Sequence, residues 1–170
     1  MKYFLYIRGN PGVGKITVAR ILEKELGWKV LWFHDLKNAV YNVVKEHRIP
    51  RLMDQVTHPV IDYLLEQGED VIYTRCSPDK ETVTGVQALV ASHKEYTFLP
   101  ILLTASYDTL LARVTERDDP YRINSKEGLD DYVTKRSTVE IPGEIVIATD
   151  DLTPEEIAAK ILAIIHKSED

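Results

Sequence analysis

A glycine-rich segment near the start of the chain, GNPGVGK at residues 9–15, restricts the fold more than any other feature of the sequence. It follows an apolar run at 3–7 and opens a stretch with helical periodicity at 15–26. Glycines allow the backbone to turn tightly and to direct successive N–H groups at phosphate oxygens. A helix that begins there presents its positive dipole end to the same anion. The order of strand, loop and helix, with a lysine directly after the last glycine, predicts a phosphate-binding loop.

This loop is expected to hold the phosphates of a nucleoside triphosphate, with Lys15 supplying a mobile positive charge to the β and γ phosphates. Backbone N–H groups are expected to make most of the other contacts. The predicted nucleotide-binding residues of the loop are Gly9, Asn10, Pro11, Gly12, Val13, Gly14, Lys15, Ile16 and Thr17.

One position departs from the usual pattern of such loops. Ile16 stands where the pattern has the Ser or Thr hydroxyl that contacts Mg²⁺. Thr17 comes one residue later, which is a rotation of about 100° around a helix, so its hydroxyl should point elsewhere. Three interpretations remain open. Mg²⁺ is held through water and other oxygens, or a local shift brings Thr17 to the metal, or the chain binds nucleotide with weakened catalysis.

Short apolar runs alternate with amphipathic stretches along the chain. This alternation predicts an α/β fold of three layers, in which a five-stranded parallel sheet has helices on both faces. Strands are expected at 3–7, 30–33, 71–73, 97–103 and 144–148. Helices are expected at 15–26, 36–46, 52–67 (with Pro59 as a kink or break), 80–93, 110–116 and 131–137. A last helix is expected after Thr153, which forms a capping box with Glu156.

Composition limits the partners and the compartment of the chain. The net charge is −6 and no run of basic residues exists, so an extended nucleic-acid surface is not expected. The single cysteine, Cys76, cannot form an internal disulfide and is interpreted as a small packing residue. The apolar N-terminal run passes directly into the glycine-rich loop and is interpreted as a core strand rather than a signal peptide. We therefore expect one domain over 1–170, a cytoplasmic location, no membrane partner, and a monomer or homodimer.

Polar side chains follow two of the predicted strands, at the end of the sheet where parallel α/β folds bind ligands. Asp35 could accept a proton from an acceptor hydroxyl or orient that hydroxyl, and it could also cap a helix that begins at Leu36. Arg75 could hold an anionic or polyhydroxylated acceptor in a bidentate manner, or form a surface salt bridge. His34 is interpreted as a residue that only flanks Asp35.

These features occur in an order that resembles the small P-loop kinases of the nucleoside-monophosphate-kinase-like superfamily. The branch includes shikimate kinase, gluconate kinase, chloramphenicol phosphotransferase and the kinase part of polynucleotide kinase. The matching features, in chain order, are GNPGVGK, Asp35, Arg75, the segment TLLARVTERDDPYR at 109–122 and the segment ATDDLTPEE at 148–156. The resemblance implies ATP as the phosphoryl donor, Mg²⁺ as the metal, and a lid around 117–128.

The resemblance also implies roles for individual residues. Lys15, Asp35 and Arg117 would be catalytic, with the lid arginines closing over the transferred phosphoryl group. Arg113 and Asp150 would lie against the nucleotide. Thr17 and Asp35 would be the candidate metal-binding residues. The candidate acceptor-binding residues would be Asp35, Arg75, Arg122 and Arg136.

Three functions remain open from the sequence. The first is ATP-dependent phosphorylation of a small acceptor that bears a hydroxyl group. The second is a nucleoside or nucleotide kinase. The third is a nucleotide-binding regulator with weak or no transferase activity, which Ile16 favours. A GTPase switch is disfavoured because no Asn-Lys-x-Asp segment occurs near the fourth predicted strand.

Overall fold

The computed structural model of the chain describes residues 2–45, 50–76, 80–118, 122–135, 141 and 143–167. Within these residues, five strands form one parallel sheet in the order β2-β3-β1-β4-β5. The five-stranded parallel sheet expected from the sequence is confirmed. The strands are β1 Lys2–Gly9, β2 Lys29–Trp32, β3 Val71–Arg75, β4 Tyr96–Thr104 and β5 Ile145–Ala148.

Seven helices in the described part of the chain cover the two faces of this sheet. The odd-numbered side chains of β1, such as Leu5 and Ile7, pack with the buried residues of the first and last helices. The even-numbered ones, such as Phe4 and Tyr6, pack on the other face with the third and fourth helices. The helices are α1 Lys15–Leu26, α2 Phe33–Val44, α3 Pro50–Glu66, α4 Lys80–Ser92, α5 Tyr107–Thr115, α6 Lys126–Lys135 and α7 Pro154–Lys167. None of them, over the residues described, is long and apolar enough to cross a membrane.

Local side-chain chemistry explains the helix ends that the sequence predicts. The capping box of α7 is present, since the backbone N–H of Glu156 donates to Thr153 Oγ1 (3.2 Å) and that of Thr153 to Glu156 Oε2 (2.8 Å). The hydroxyl of Ser106 accepts from the backbone N–H of Thr109 and caps α5. Gly27 ends α1 in the left-handed conformation.

Three helix predictions need correction. Helix α2 begins at Phe33, so Asp35 lies inside its first turn and is not the cap of a helix that begins at Leu36. Helix α6 begins at Lys126, five residues before its predicted start. Helix α3 continues past Pro59 without a break. The α2 start was missed because the residue before it, Trp32, makes no side-chain capping bond that sequence could reveal.

A charged residue lies in the middle of the apolar core. Arg8, in the central strand β1, is fully buried, and its guanidinium donates from Nε and from an Nη to the two carboxylate oxygens of Glu144 (2.5 Å each). Both side chains are closed to solvent. This two-bond arrangement compensates two charges that would otherwise be costly to bury. It also fixes the segment before β5 to the end of β1.

We expect Glu144→Gln to lower the free energy of unfolding by about 3–5 kcal/mol, because it leaves a buried guanidinium without a counter-charge. Denaturant titration measures the change. Glu95→Gln, at an exposed position, is the matched control and should change the value by about 0.5 kcal/mol or less. The double variant Arg8→Met, Glu144→Met should recover most of the loss because no unpaired charge remains. A single-variant loss no larger than that of the control would contradict the role given to this pair.

Candidate functional site

The loop between β1 and α1 has a backbone that only glycine can adopt at its two ends. Gly9 has φ +145°, and a Cβ there would lie 2.3 Å from the carbonyl oxygen of Leu103 in β4. Gly14 precedes the helix with φ +93°, and a Cβ there would have no heavy atom within 4 Å. A side chain at Gly9 is therefore excluded by the sheet, whereas Gly14 faces open space at the start of the helix, where a phosphate would bind.

The ammonium group of Lys15 lies within this loop. Its Nζ donates hydrogen bonds to the carbonyl oxygens of Gly9 (2.7 Å) and Asn10 (2.8 Å), and the residue is buried. Carbonyl oxygens satisfy the donors of the ammonium without cancelling its charge. A phosphate that enters the loop would therefore meet a cation together with the N-terminus of α1.

A polar cleft of about 180 Å³ lies beside the loop. It is formed by the start of α1, the ends of β2 and β3, the first turn of α2 and the segment before α6. Its charged lining residues are two arginines and two carboxylates, which balance one another. The lining residues are Ile16, Arg20, Glu23, Trp32, His34, Asp35, Thr74 and Arg122.

This cleft brings together three of the residues singled out from the sequence. Asp35, exposed in the first turn of α2, faces the same space as Ile16 and Arg122. Ile16 and Arg122 are more than a hundred residues apart in the chain. A carboxylate, the first turn of the phosphate-binding helix and an arginine of the predicted lid thus share one volume.

Side chains near the loop fit a nucleotide's phosphates well, and a divalent cation in part. Ile16 offers only carbon atoms to the cleft, and Thr17 is exposed and does not belong to the residues that line it. Among the described residues, no group of three or more His, Cys, Asp or Glu side chains could hold a metal by itself. Asp35 is the carboxylate that the cleft offers near the loop. Mg²⁺ commonly binds through one or two carboxylates, several waters and the substrate's own phosphates, and one carboxylate beside a phosphate site fits that arrangement. The metal-binding assignments of Thr17 and Asp35 stay predictions.

Arg113 connects the loop to the far end of the sheet. Its guanidinium donates to Thr149 O (2.7 Å), to Thr149 Oγ1 (3.0 Å) and to Gly12 O (3.4 Å). The side chain therefore lies between α5, the phosphate-binding loop and the residue after β5. It is not a solvated charge on a helix surface, and its contact with nucleotide stays a prediction.

Asp150 is also held in place by α5. Its Oδ1 accepts from the backbone N–H of Ser106 and from Thr109 Oγ1, both at 2.8 Å. Hydrogen bonds from Ser106 and Thr109 lower the pKa of Asp150 to about 2. Together with Arg113, this carboxylate fixes the segment after β5 next to the loop, where contact with the nucleotide is predicted.

Two of the predicted arginines, Arg117 and Arg136, do not line the cleft as the structure describes it. Arg117 follows the C-terminal end of α5, where its backbone N–H donates to Val114 O (3.3 Å). Arg136 lies outside the described residues, as do 119–121 of the predicted lid at 117–128. The roles given to these arginines therefore stay predictions.

Arg75 takes part in a buried ion pair, not a surface one. Its guanidinium donates to Asp54 Oδ1 of α3 (2.5 Å) and lies 4.5 Å from the ring centroid of Phe33. The side chain is 6% exposed, and that of Asp54 is 30% exposed. Sequence reasoning placed Arg75 at the correct strand end but did not find its carboxylate partner, which comes from a helix 21 residues earlier.

Sequence reasoning also missed the environment of Cys76, which follows β3 directly. The thiol is in contact with Lys15 and with His34, so neither Cys76 nor His34 is a passive neighbour. Burial raises the pKa of the Cys76 thiol, but the charge of Lys15 and the hydrogen bond and charge of His34 lower it more, to about 6. The sequence did contain a signal for this contact, because Cys76 and His34 both follow strands that end beside the loop.

We expect the alkylation of Cys76 by iodoacetamide to follow a titration with a midpoint near pH 6, because the thiolate is the reactive form. Lowering the pH below this value protonates the thiol and slows the reaction. Since the chain has one cysteine, the mass shift of the whole protein reports this site alone. The urea-unfolded chain is the control, with an expected midpoint of about 8.5. A folded-state midpoint as high as that of the control would contradict the contact with Lys15 and His34.

Comparisons with known proteins agree with this architecture. The model of a protein family described as an AAA domain matches residues 6–133. A shikimate kinase of Trichormus variabilis is 27% identical over 182 aligned positions, which cover 95% of this chain and 90% of that protein. A provisionally named adenylate kinase of Methanosarcina mazei is 29% identical over 117 positions, which cover 65% of this chain and 59% of that protein.

A solved structure shows the same fold at lower identity. A sugar kinase from Janibacter sp. HTCC2649, crystallised without ligand, superposes with a TM-score of 0.68 at 18% identity, over 96% of this chain and 94% of that one. The sheet order, the loop after β1 and these matches lead to the same assignment. The chain belongs to the AAA domain family whose model it matches, and its fold is of the P-loop kinase type.

Proposed function

We propose that the chain transfers the γ-phosphoryl group of ATP to a hydroxyl group of a small acceptor. The observation that carries this proposal is the cleft in which Asp35 faces the first turn of α1 and Arg122. An acceptor hydroxyl bound there would have a carboxylate on one side and a loop suited to phosphates on the other. The relatives named as shikimate kinase and sugar kinase support the same class of reaction.

In the proposed reaction, the acceptor oxygen forms a bond to the γ-phosphorus while the bond from that phosphorus to the β–γ bridging oxygen breaks. ADP leaves, and the proton of the hydroxyl passes to Asp35. Lys15 and the backbone N–H groups of residues 9–17, except Pro11, would hold the phosphates. Mg²⁺, when bound, neutralises charge on the phosphate oxygens, and Asp35 would help to orient it.

The arginines would act at the edges of this site. Arg122 in the cleft, with Arg117, would offset the charge that develops on the transferred phosphoryl group. Arg113 and Asp150 would form the wall on which the nucleotide base lies. We propose that residues 117–128 act as a lid and that Arg75 and Arg136 belong to the acceptor side.

A second candidate is a nucleotide kinase, which the match to the adenylate kinase of Methanosarcina mazei favours. In that case the acceptor oxygen would belong to a phosphate rather than to an alcohol. The phosphate loop, Lys15 and the lid would act in the same way under both proposals. The two functions differ in the charge of the acceptor, which can be tested separately.

We expect Lys15→Ala to weaken ATP binding by about 10- to 100-fold, because it removes a charge-assisted hydrogen bond to phosphate. Isothermal titration calorimetry measures the affinity. Lys24→Ala, an exposed lysine in the last turn of the same helix, is the matched control and should bind ATP normally. Unchanged affinity in a folded Lys15→Ala protein would show that the loop does not hold the phosphates.

We expect Asp35→Asn to reduce phosphoryl transfer by about 10²–10⁴-fold, because the amide cannot accept the proton of the acceptor. ATP affinity should stay near normal, since Lys15 and the backbone of the loop, which would hold the phosphates, are unchanged. Turnover is measured with an acceptor chosen by a thermal-shift screen of sugars, nucleosides, nucleotides and hydroxy acids.

The control for this variant is Asp108→Asn, which removes another exposed carboxylate from the first turn of a helix, α5. Both variants should lose about 0.3–1 kcal/mol of stability through the helix dipole. If Asp35→Asn transfers phosphate as fast as the control, the carboxylate has no part in the reaction and serves only the helix end.

A further inference from the structure

The carboxyl end of the sheet carries a group of buried charges on the face covered by α3 and α4. Arg8 of β1 and Arg75 of β3 are opposite one another in the strand register. Directly opposed residues on neighbouring parallel strands project to the same face, with backbones about 4.8 Å apart. We call these two arginines and their partners, Asp54 and Glu144, the arginine–carboxylate cluster.

Every guanidinium in this cluster has a carboxylate in contact. Arg8 is held by both oxygens of Glu144, and neither side chain reaches solvent. Arg75 is held by Asp54 on one side and is covered by the ring of Phe33 on another. The sum of these charges is zero. A pocket formed beside the cluster therefore has no surplus positive charge with which to attract an anion.

The side of the cluster open to solvent is the negative one. Asp54 keeps 30% of its side chain exposed, whereas the Arg75 side chain is 6% exposed. A carboxylate can accept about four hydrogen bonds, so the bond from Arg75 does not exhaust its capacity. A molecule that approaches this end of β3 consequently meets a hydrogen-bond acceptor before it meets a cation.

Below the ion pair lies an uncharged hydroxyl. Tyr73 precedes Arg75 by two residues in β3, so the two side chains project to the same face of the sheet. Tyr73 is fully buried. Burial raises the pKa of this phenol, so it remains neutral, and Thr57 and Arg75 lie close enough to interact with its oxygen. The floor of the cluster is therefore polar but carries no charge of its own.

We propose that Asp54 is a specificity-determining residue that restricts the acceptor to uncharged, hydroxyl-rich molecules and excludes those that carry phosphate or carboxylate. This inference rests on the proposed function for the location of the acceptor. An anionic acceptor has to displace Asp54 from Arg75 or lie against a like charge. A neutral polyol donates hydroxyl hydrogens to Asp54 and leaves the ion pair intact. The adjacent cleft, with its balanced pairs of arginines and carboxylates, has the same preference.

The experiment measures binding with the phosphate loop saturated by a non-hydrolysable ATP analogue, so that anions cannot bind there. Calorimetry then compares adenosine with AMP and glucose with gluconate, and also tests inorganic sulfate. The wild-type protein should bind a neutral member more tightly than its anionic counterpart and should not bind sulfate at millimolar concentrations. Asp54→Asn should bind AMP, gluconate or sulfate about 10- to 100-fold more tightly than the wild type, because Arg75 is released.

Two further variants identify the cause of such a gain. Asp62→Asn removes another ion-paired carboxylate of α3, the one that contacts His93, and should not change anion binding. Adding Arg75→Gln to Asp54→Asn should abolish the gained affinity, because the released cation is gone. Melting curves show whether each variant is folded. If Asp54→Asn does not fold, the comparison of neutral and anionic ligands with the wild-type protein tests the inference by itself.

Two results would overturn the inference: tighter binding of the anionic member by the wild-type protein, or no gain in anion binding by folded Asp54→Asn. A failure of the inference about Asp54 can be distinguished from a failure of the proposed function. If no acceptor is phosphorylated and Asp54→Asn still gains anion binding through Arg75, the transfer reaction is wrong and the inference holds. If the wild-type protein phosphorylates an anionic acceptor efficiently, transfer is correct and the inference fails.

Discussion

The phosphate-binding loop has its shape because the backbone of Gly9 lies directly against the backbone of Leu103. A Cβ at Gly9 would lie 2.3 Å from that carbonyl oxygen, so the approach of β1 to β4 at this point excludes every other residue. The contact turns the chain out of the sheet, and α1 then begins six residues later. Lys15 can hydrogen-bond to Gly9 and Asn10 only because the loop returns over the end of β1. The cleft that contains Asp35 lies beside this helix start, so its position also depends on the close approach of two strands.

Local signals in the sequence were sufficient for the sheet and for most helix ends. Alternation of apolar runs predicted the strands, and Ser106, Thr153 and Gly27 marked helix ends through bonds that each makes to its own neighbours. The interactions that sequence did not reveal are between distant residues. Arg8 and Glu144 are 136 positions apart, and no local pattern indicates which acid meets a buried arginine. An arginine beside the first glycine of the loop, inside an apolar strand, nevertheless required some partner, because a lone buried charge is too costly. The position of Asp35 inside α2, rather than before it, also depended on packing, since Trp32 makes no capping bond.

Ile16 and Cys76 change the chemistry of the loop in different ways. Ile16 removes a hydroxyl from the place where it would face the cleft, so in our proposal Asp35, water and the nucleotide would supply the oxygens that hold a metal. Cys76 adds an ionisable group in contact with Lys15, with a pKa of about 6. At neutral pH the thiolate partly balances the lysine. A phosphate bound at Lys15 would place further negative charge beside the thiolate and would raise the pKa of Cys76. Under the proposed function, nucleotide binding would therefore be linked to protonation of this residue.

The cations on the phosphate side of the site and those on the face covered by α3 and α4 are held by different groups. This difference gives the two sides different tendencies to bind an anion. On the phosphate side, Lys15 is held by carbonyl oxygens and by a thiol that can become neutral close to physiological pH. Its charge is therefore available when an anion arrives. On the face covered by α3 and α4, the guanidinium groups of Arg8 and Arg75 are each held by a carboxylate. The thiolate beside Lys15, by contrast, loses its charge when it takes up a proton. This difference is the physical basis of our proposal that one end of the sheet holds a polyphosphate donor while the acceptor side, a few residues away, disfavours a second anion.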